Sequence, residues 1–143
     1  MIYHSPHPHI DIPDTPLADF VLARAAERGA RAALVDSVSG RTISYAELPG
    51  LVDRAAASLS RLGIAKGDVC AIFSPNTPEY PIAALALARL GAVTTTASPL
   101  CTKDDLRAQL GDCRARILIT VTSLAPTWVG AVAGSRVERV FTF

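Results

Sequence analysis

The stretch Asp68-Val69-Cys70-Ala71-Ile72-Phe73, followed by Ser74-Pro75-Asn76-Thr77-Pro78-Glu79, decides the fold. Its first half is apolar without alternation. A strand with one wet face alternates apolar and polar residues, whereas a strand buried on both faces does not, and such strands belong to parallel sheets. Its second half is a loop. Thr77 is read as an N-cap and Pro78 as the first helical residue, opening a helix that runs to Leu90 and stops at Gly91.

The same grammar repeats downstream. Residues 92–97, rich in Thr and Val, read as a second strand. After the loop Ser98-Pro99-Leu100-Cys101, Thr102 and Asp105 form a capping box for a helix through Leu106, Leu110 and Cys113. Residues 116–121 read as a third buried strand, residues 123–133 as a weak helix interrupted by Gly130, and residues 139–143 as the start of a further strand inside the sheet. Strands alternating with helices at this spacing predict right-handed βαβ crossovers and a mainly parallel α/β sheet with flanking helices.

Upstream, Ser44 and Glu47 form another capping box. It leads into a helix with an apolar stripe at Leu48, Leu51, Val52, Ala55, Leu59 and Leu62, ended by Gly63. Pro49, one turn in, is expected to kink or loosen its start. Residues 32–36 and 41–43, joined by the Ser39-Gly40 turn, read as a small hairpin. Thr15 before Pro16 is read as the cap of a helix ending near Gly29. Residues 1–14 hold Pro6, Pro8 and Pro13 and all three histidines. The chain therefore divides into an extended arm, residues 1–15, and a partial N-terminal α/β domain, residues 16–143.

Composition excludes several classes. Of 143 residues, 50% are hydrophobic and 19% charged, which is not the composition of a disordered chain. Fourteen basic against thirteen acidic side chains leave a net charge of +1, with no basic excess to hold nucleic acid. The apolar stretch 81–93 is broken by Arg89 and too short to span a bilayer. The start of the chain lacks the pattern of a secretion signal. Cys70, Cys101 and Cys113 form no CxxC pair, and an odd, widely spaced set suits a reducing compartment, so a cytoplasmic location is expected.

Chemistry-bearing motifs are sparse. His4, His7 and His9 lack a converging Cys or carboxylate cluster and read as a solvated arm, not a metal site. Cys101 sits between a strand end and a helix start, where a thiol can be activated. A nucleophile also needs a base, and no histidine follows His9, so Cys101 reads as a loop residue. Asp36, Asp104 and Asp105 do not complete a phospho-receiver site, because the only lysines, Lys66 and Lys103, both precede the third strand. No phosphate-binding glycine loop, GxSxG elbow or Ser-His-Asp set is present. The loop 74–79 lies at the usual ligand edge of an open α/β sheet, but capping residues there do no more than start a helix.

Several segments, in order, resemble the N-terminal part of the adenylate-forming (AMP-binding) enzymes, in the acyl-CoA synthetase and 4-coumarate–CoA ligase branch. They are Ala33-Leu34-Val35-Asp36, Gly40-Arg41-Thr42-Ile43-Ser44-Tyr45-Ala46-Glu47-Leu48, Leu62-Gly63-Ile64-Ala65-Lys66-Gly67-Asp68, Pro75-Asn76-Thr77-Pro78-Glu79 and Gly91-Ala92-Val93. The series closes with Ser98-Pro99-Leu100-Cys101-Thr102, running into Leu106 and Gln109-Leu110. Two departures stand out: where that branch shows Asn-Pro-Leu-Tyr-Thr, this chain has Ser98 in place of the Asn and Cys101 in place of the Tyr.

The resemblance implies a ligase that activates a carboxylic acid with ATP and Mg²⁺, releases pyrophosphate, and passes the acyl group to coenzyme A. It also implies that the family's phosphate loop, Thr-Glu pair, Thr-Gly-Asp ribose contact and C-terminal lysine lie beyond this chain. No catalytic, cofactor-binding or metal-binding residue is therefore expected here, and the chain alone is expected to be inactive and to bind none of ATP, Mg²⁺ and CoA. The strand at residues 140–143 has no following helix to cover it, so self-association through the uncovered sheet is expected. The alternative is a stand-alone α/β binding or interaction module without catalysis.

Overall fold

The computed structural model describes residues 6–8 and 10–143. His4 and His9 lie outside them. At the centre stands a four-stranded parallel sheet in the order β4-β3-β5-β6, formed by β3 (Val69–Phe73), β4 (Val93–Ala97), β5 (Ile117–Thr120) and β6 (Arg139–Thr142). β3 pairs with both β4 and β5, so strand order reverses beside it. The unbroken apolar run predicted this: Cys70, Ala71, Ile72 and Phe73 are all buried.

Strand alternation sends side chains to two faces. Cys70, Ile72, Ile117 and Ile119 pack with Ala83 and Leu87 of α4 (Glu79–Arg89). Ala71, Phe73 and Leu118 pack on the other face with Leu106 and Leu110 of α5 (Lys103–Asp112) and Ala131 of α6 (Ala125–Val132). The sheet is thus covered on both sides. A third core joins α1 (Leu17–Leu22), the antiparallel hairpin of β1 (Ala32–Val35) and β2 (Thr42–Ser44), and α3 (Leu48–Arg61) to α4. The Asp36 carboxylate closes the hairpin turn by accepting from the Ser39 hydroxyl at 2.5 Å and the Val38 N–H at 3.0 Å.

Arg89 fastens the helical layer. One guanidinium nitrogen pairs with Asp53 of α3, and another donates to Asp19 of α1 at 2.9 Å. Arg116 fastens the amino ends of the strands, donating to Asp68 ahead of β3 at 3.0 Å and to Glu138 ahead of β6 at 2.9 Å.

Several expectations are corrected. The first helix is two short ones, α1 and α2 (Ala25–Arg28), broken where Arg24 leaves helical geometry (ψ 13°). Its N-cap is Pro16, and Thr15 makes no cap bond. Pro49 does not kink α3. That helix begins at Leu48, which puts the proline within the first turn, where its missing N–H has no partner to lose. The Ser44–Glu47 exchange forms in the turn just ahead: Glu47 Oε2 accepts from the Ser44 N–H at 2.8 Å, and the Glu47 N–H donates to Ser44 Oγ at 3.3 Å.

Residues 122–124 form a 3₁₀ turn before α6. The strand expected at residues 139–143 forms β6; among the described residues it stands last in the sheet order beside β5, with Val140 and Phe141 half-buried against opposite faces. The capping box at Thr102 and Asp105 is present as predicted. Gly63 (φ +87°) and Gly91 (φ +70°) follow α3 and α4 in the left-handed region that a side chain resists.

Candidate functional site at the carboxyl edge of the sheet

In an open α/β sheet, ligands settle outside the strand carboxyl ends where the order reverses. Here that point lies between β3 and β5, beneath the loop 74–79 and the end of β5. The loop is internally braced: Ser74, 2% exposed, donates through Oγ to Pro75 O at 2.9 Å, and the Thr77 N–H donates to the same oxygen at 2.8 Å. This bracing moves the helix start. α4 opens at Glu79 with Pro78 as its N-cap and no side-chain cap bond, so Thr77 is not the predicted cap. The Thr77 carbonyl instead accepts from the Tyr80 N–H at 3.1 Å.

Glu79 occupies the first turn of α4, where positive helix-end charge would otherwise draw an anion. Partial burial is the largest single influence and pushes its carboxyl up, but the hydrogen bonds from Arg41, the Glu79 N–H and Thr77, with the Arg41 charge, together hold it below the ordinary value. The Arg41–Glu79 pair also ties the hairpin to α4. A shallow cleft of about 260 Å³ opens beside it, lined by Leu34, Val35, Asn76, Thr77, Pro78 and Tyr80. Across the reversal point, Thr120 is fully buried and its hydroxyl has no hydrogen-bond partner.

Cys101 lies at the end of the neighbouring loop. Burial first, then the Asp105 carboxylate, push its thiol up, which is the opposite of nucleophile activation. Cys70 sits inside β3, and burial drives its thiol up to about 11. Among the described residues, no three His, Cys, Asp or Glu side chains gather where a metal could sit, and no helix is long and apolar enough to cross a membrane. The edge thus brings the loop 74–79 and Thr120 together and leaves Cys101 apart. Sequence reading missed the Arg41–Glu79 tie. Both residues stand in quoted stretches, but 38 positions separate them and no local pattern links them.

This geometry defines a doubly wound parallel α/β domain. The chain belongs to the AMP-binding enzyme family, whose model matches residues 21–140. It is 40% identical over 134 residues to 4-coumarate–CoA ligase 5 of Oryza sativa subsp. japonica, covering 93% of this chain and 24% of that protein. With 4-coumarate–CoA ligase 4 of Arabidopsis thaliana the identity is 38%, over 83% of this chain and 22% of the relative.

Among solved structures, a long-chain-fatty-acid–CoA ligase of Archaeoglobus fulgidus shares the fold. The TM-score is 0.89 at 24% identity, covering 99% of this chain and 30% of that one. The N-terminal domain of FACL13 of Mycobacterium tuberculosis matches with a TM-score of 0.80 at 26% identity, over 88% of this chain and 33% of its own. The chain thus spans about a quarter of the length of these curated relatives.

Proposed function

We propose that this chain is the N-terminal part of an ATP-dependent acyl- or aryl-CoA ligase. In that reaction a carboxylate attacks the α-phosphate of ATP and pyrophosphate leaves. The thiol of coenzyme A then attacks the acyl carbon and AMP leaves. Mg²⁺ neutralises the phosphates of the bound nucleotide. The observation that carries the reading is the 40% identity to a 4-coumarate–CoA ligase over 93% of the chain.

The described residues do not themselves suit a nucleotide. At the carboxyl edge Glu79 stands in the first turn of α4, where its carboxylate takes the place an anion would hold. In this reading residues 16–143 are one wall of a larger domain, residues 1–15 are an arm, and the nucleotide, its metal and coenzyme A contact the remainder of the ligase. The three free cysteines support a cytoplasmic location.

ATP–pyrophosphate exchange tests this. The 143-residue chain alone is expected to show background exchange with any carboxylic acid. Fused in place of the matching quarter of the rice ligase, it is expected to support exchange. Exchange by the isolated chain overturns its inactivity alone. A folded, inactive fusion overturns the ligase reading.

A further inference from the structure

The inner side of β4 is paired with β3 from end to end, Val93 opposite Val69 through Ala97 opposite Phe73. The Val93 N–H donates to Asp68 O at 2.8 Å, so alternation turns the backbone groups of Thr94 and Thr96 to the outer side. There a side chain reaches the strand. Gln109, half-buried on α5, donates through Nε2 to Thr96 O at 2.9 Å and to Thr95 Oγ1 at 3.0 Å. A carboxamide nitrogen carries two hydrogens, and both are engaged.

These bonds close a ring. From Thr96 the chain leaves β4, turns through residues 98–101, enters α5 by the Thr102–Asp105 box, and comes back 13 positions later to the strand it left. Inside the ring, Ser98 O accepts from the Cys101 N–H at 3.0 Å and Ser98 Oγ accepts from the Leu100 N–H at 3.2 Å. Those two bonds shape the turn but do not aim it. Its direction is set by its two feet, the end of β4 and the start of α5, and Gln109 joins one foot to the other. Because Ala97 stands opposite Phe73, this turn and the loop 74–79 leave the sheet side by side, on the edge where an open α/β sheet takes its ligand.

We propose that Gln109 is a positioning residue: its amide fixes the end of β4, and with it the place of the turn 98–101 beside the loop 74–79, a placement on which adenylation by the complete ligase depends. Its effect on catalysis rests on the ligase reading, whereas its hold on the turn does not. The role suits this side chain. Methionine has a similar length and no donor, and glutamate has the shape but sets a carboxylate against two oxygens.

Cys101, at the far end of the turn, and Cys113, at the other end of α5, make the test internal to the 143-residue chain. Alkylation of native Gln109→Met is expected to raise the ratio of Cys101 to Cys113 labelling several-fold, with Cys70 still protected. A general loosening of the fold would instead raise all three thiols together. Thr95→Val, which removes one acceptor and leaves the Thr96 carbonyl, is expected to raise the ratio less. The double variant is expected to match Gln109→Met, because the two side chains share one contact. In the fusion with the rice ligase, kcat/KM for ATP–pyrophosphate exchange is expected to fall several-fold in Gln109→Met and less in Thr95→Val, in the order of the labelling ratios. Should Gln109→Met fail to fold, Thr95→Val decides by the same ratio. An unchanged ratio in a folded variant overturns the hold on the turn. A raised ratio with full exchange overturns the dependence of adenylation on it. A wild-type fusion without exchange overturns the ligase reading, and the labelling ratio then decides the hold on the turn by itself.

Discussion

Arg116 Nη1 lies 3.0 Å from Asp68 Oδ1, joining the amino ends of β5 and β3 across the middle of the sheet. The backbone repeats the link, the Arg116 N–H donating to Val69 O at 2.9 Å. With Nε on Glu138, one planar guanidinium sets the starting line of three adjacent strands. Lysine carries the charge but not the fork. Arg116→Lys and Arg116→Leu are both expected to lower the thermal midpoint, the lysine variant recovering only part of the loss. A lysine variant indistinguishable from wild type in thermal unfolding would remove geometry from this explanation.

The same carboxylate sets a pH dependence. The Ala65 N–H first, and Arg116 second, hold Asp68 below its ordinary value, and hydroxyl and N–H donors do the same for Glu47 and Asp105. Each group binds its proton more weakly folded than unfolded. The stabilisation is therefore complete above the unfolded carboxylate range of about 4 and is lost as pH falls through the lower folded values. Urea midpoints are expected to be level from about pH 7 to 5 and to drop below about pH 4, less steeply in Asp68→Asn.

Thr120 gives a prediction of opposite sign. Its hydroxyl is buried without a partner. Replacing an unsatisfied buried hydroxyl by a methyl of similar size removes a desolvation cost of about 1–3 kcal/mol. Thr120→Val is expected to be neutral or to raise the unfolding free energy by about 1 kcal/mol, read from urea denaturation.

Thr102 is the contrasting hydroxyl. It accepts from the Asp105 N–H at 3.2 Å while Asp105 returns to the Thr102 N–H at 3.0 Å. Thr102→Ala is expected to cost about 1 kcal/mol, in line with other N-cap losses. Thr77→Ala, at the helix where no side-chain cap forms, is expected to cost less by the same assay.

The thiols separate by burial. Cys70 is fully buried and raised to about 11, whereas Cys101 and Cys113 are half-exposed. Alkylation at pH 8 in native buffer, followed by mass spectrometry, is expected to label Cys101 and Cys113 well before Cys70, with Cys101 no faster than an unperturbed thiol. Rapid labelling of Cys101 would count against its burial by the α5 cap.

The elements legible in the sequence were those whose signal is local. The apolar run 69–73 announced its own burial on two faces, and the Thr102–Asp105 box needs only three residues of separation to form. The break at Arg24 and the shift of α4 past Thr77 were not legible, because capping residues occur in loops as readily as at helix ends. The loop bonds of Ser74 and Pro75 decided the second case. Nor could the chain order show that Arg41 would reach Glu79, or that Gln109 would bend round to the outer rim of β4. Those contacts exist only once the sheet has brought distant segments together.

The placement of β3 between β4 and β5 has a consequence for biosynthesis. As the polypeptide leaves the ribosome, Cys70 and Ile72 can dock against α4 early, yet their neighbour Ile117 emerges much later. Until then this buried strand has one flank open. Loop closure over such separations is slow. Nascent chains of this protein should therefore be clients of holding chaperones for as long as translation has yet to deliver β5.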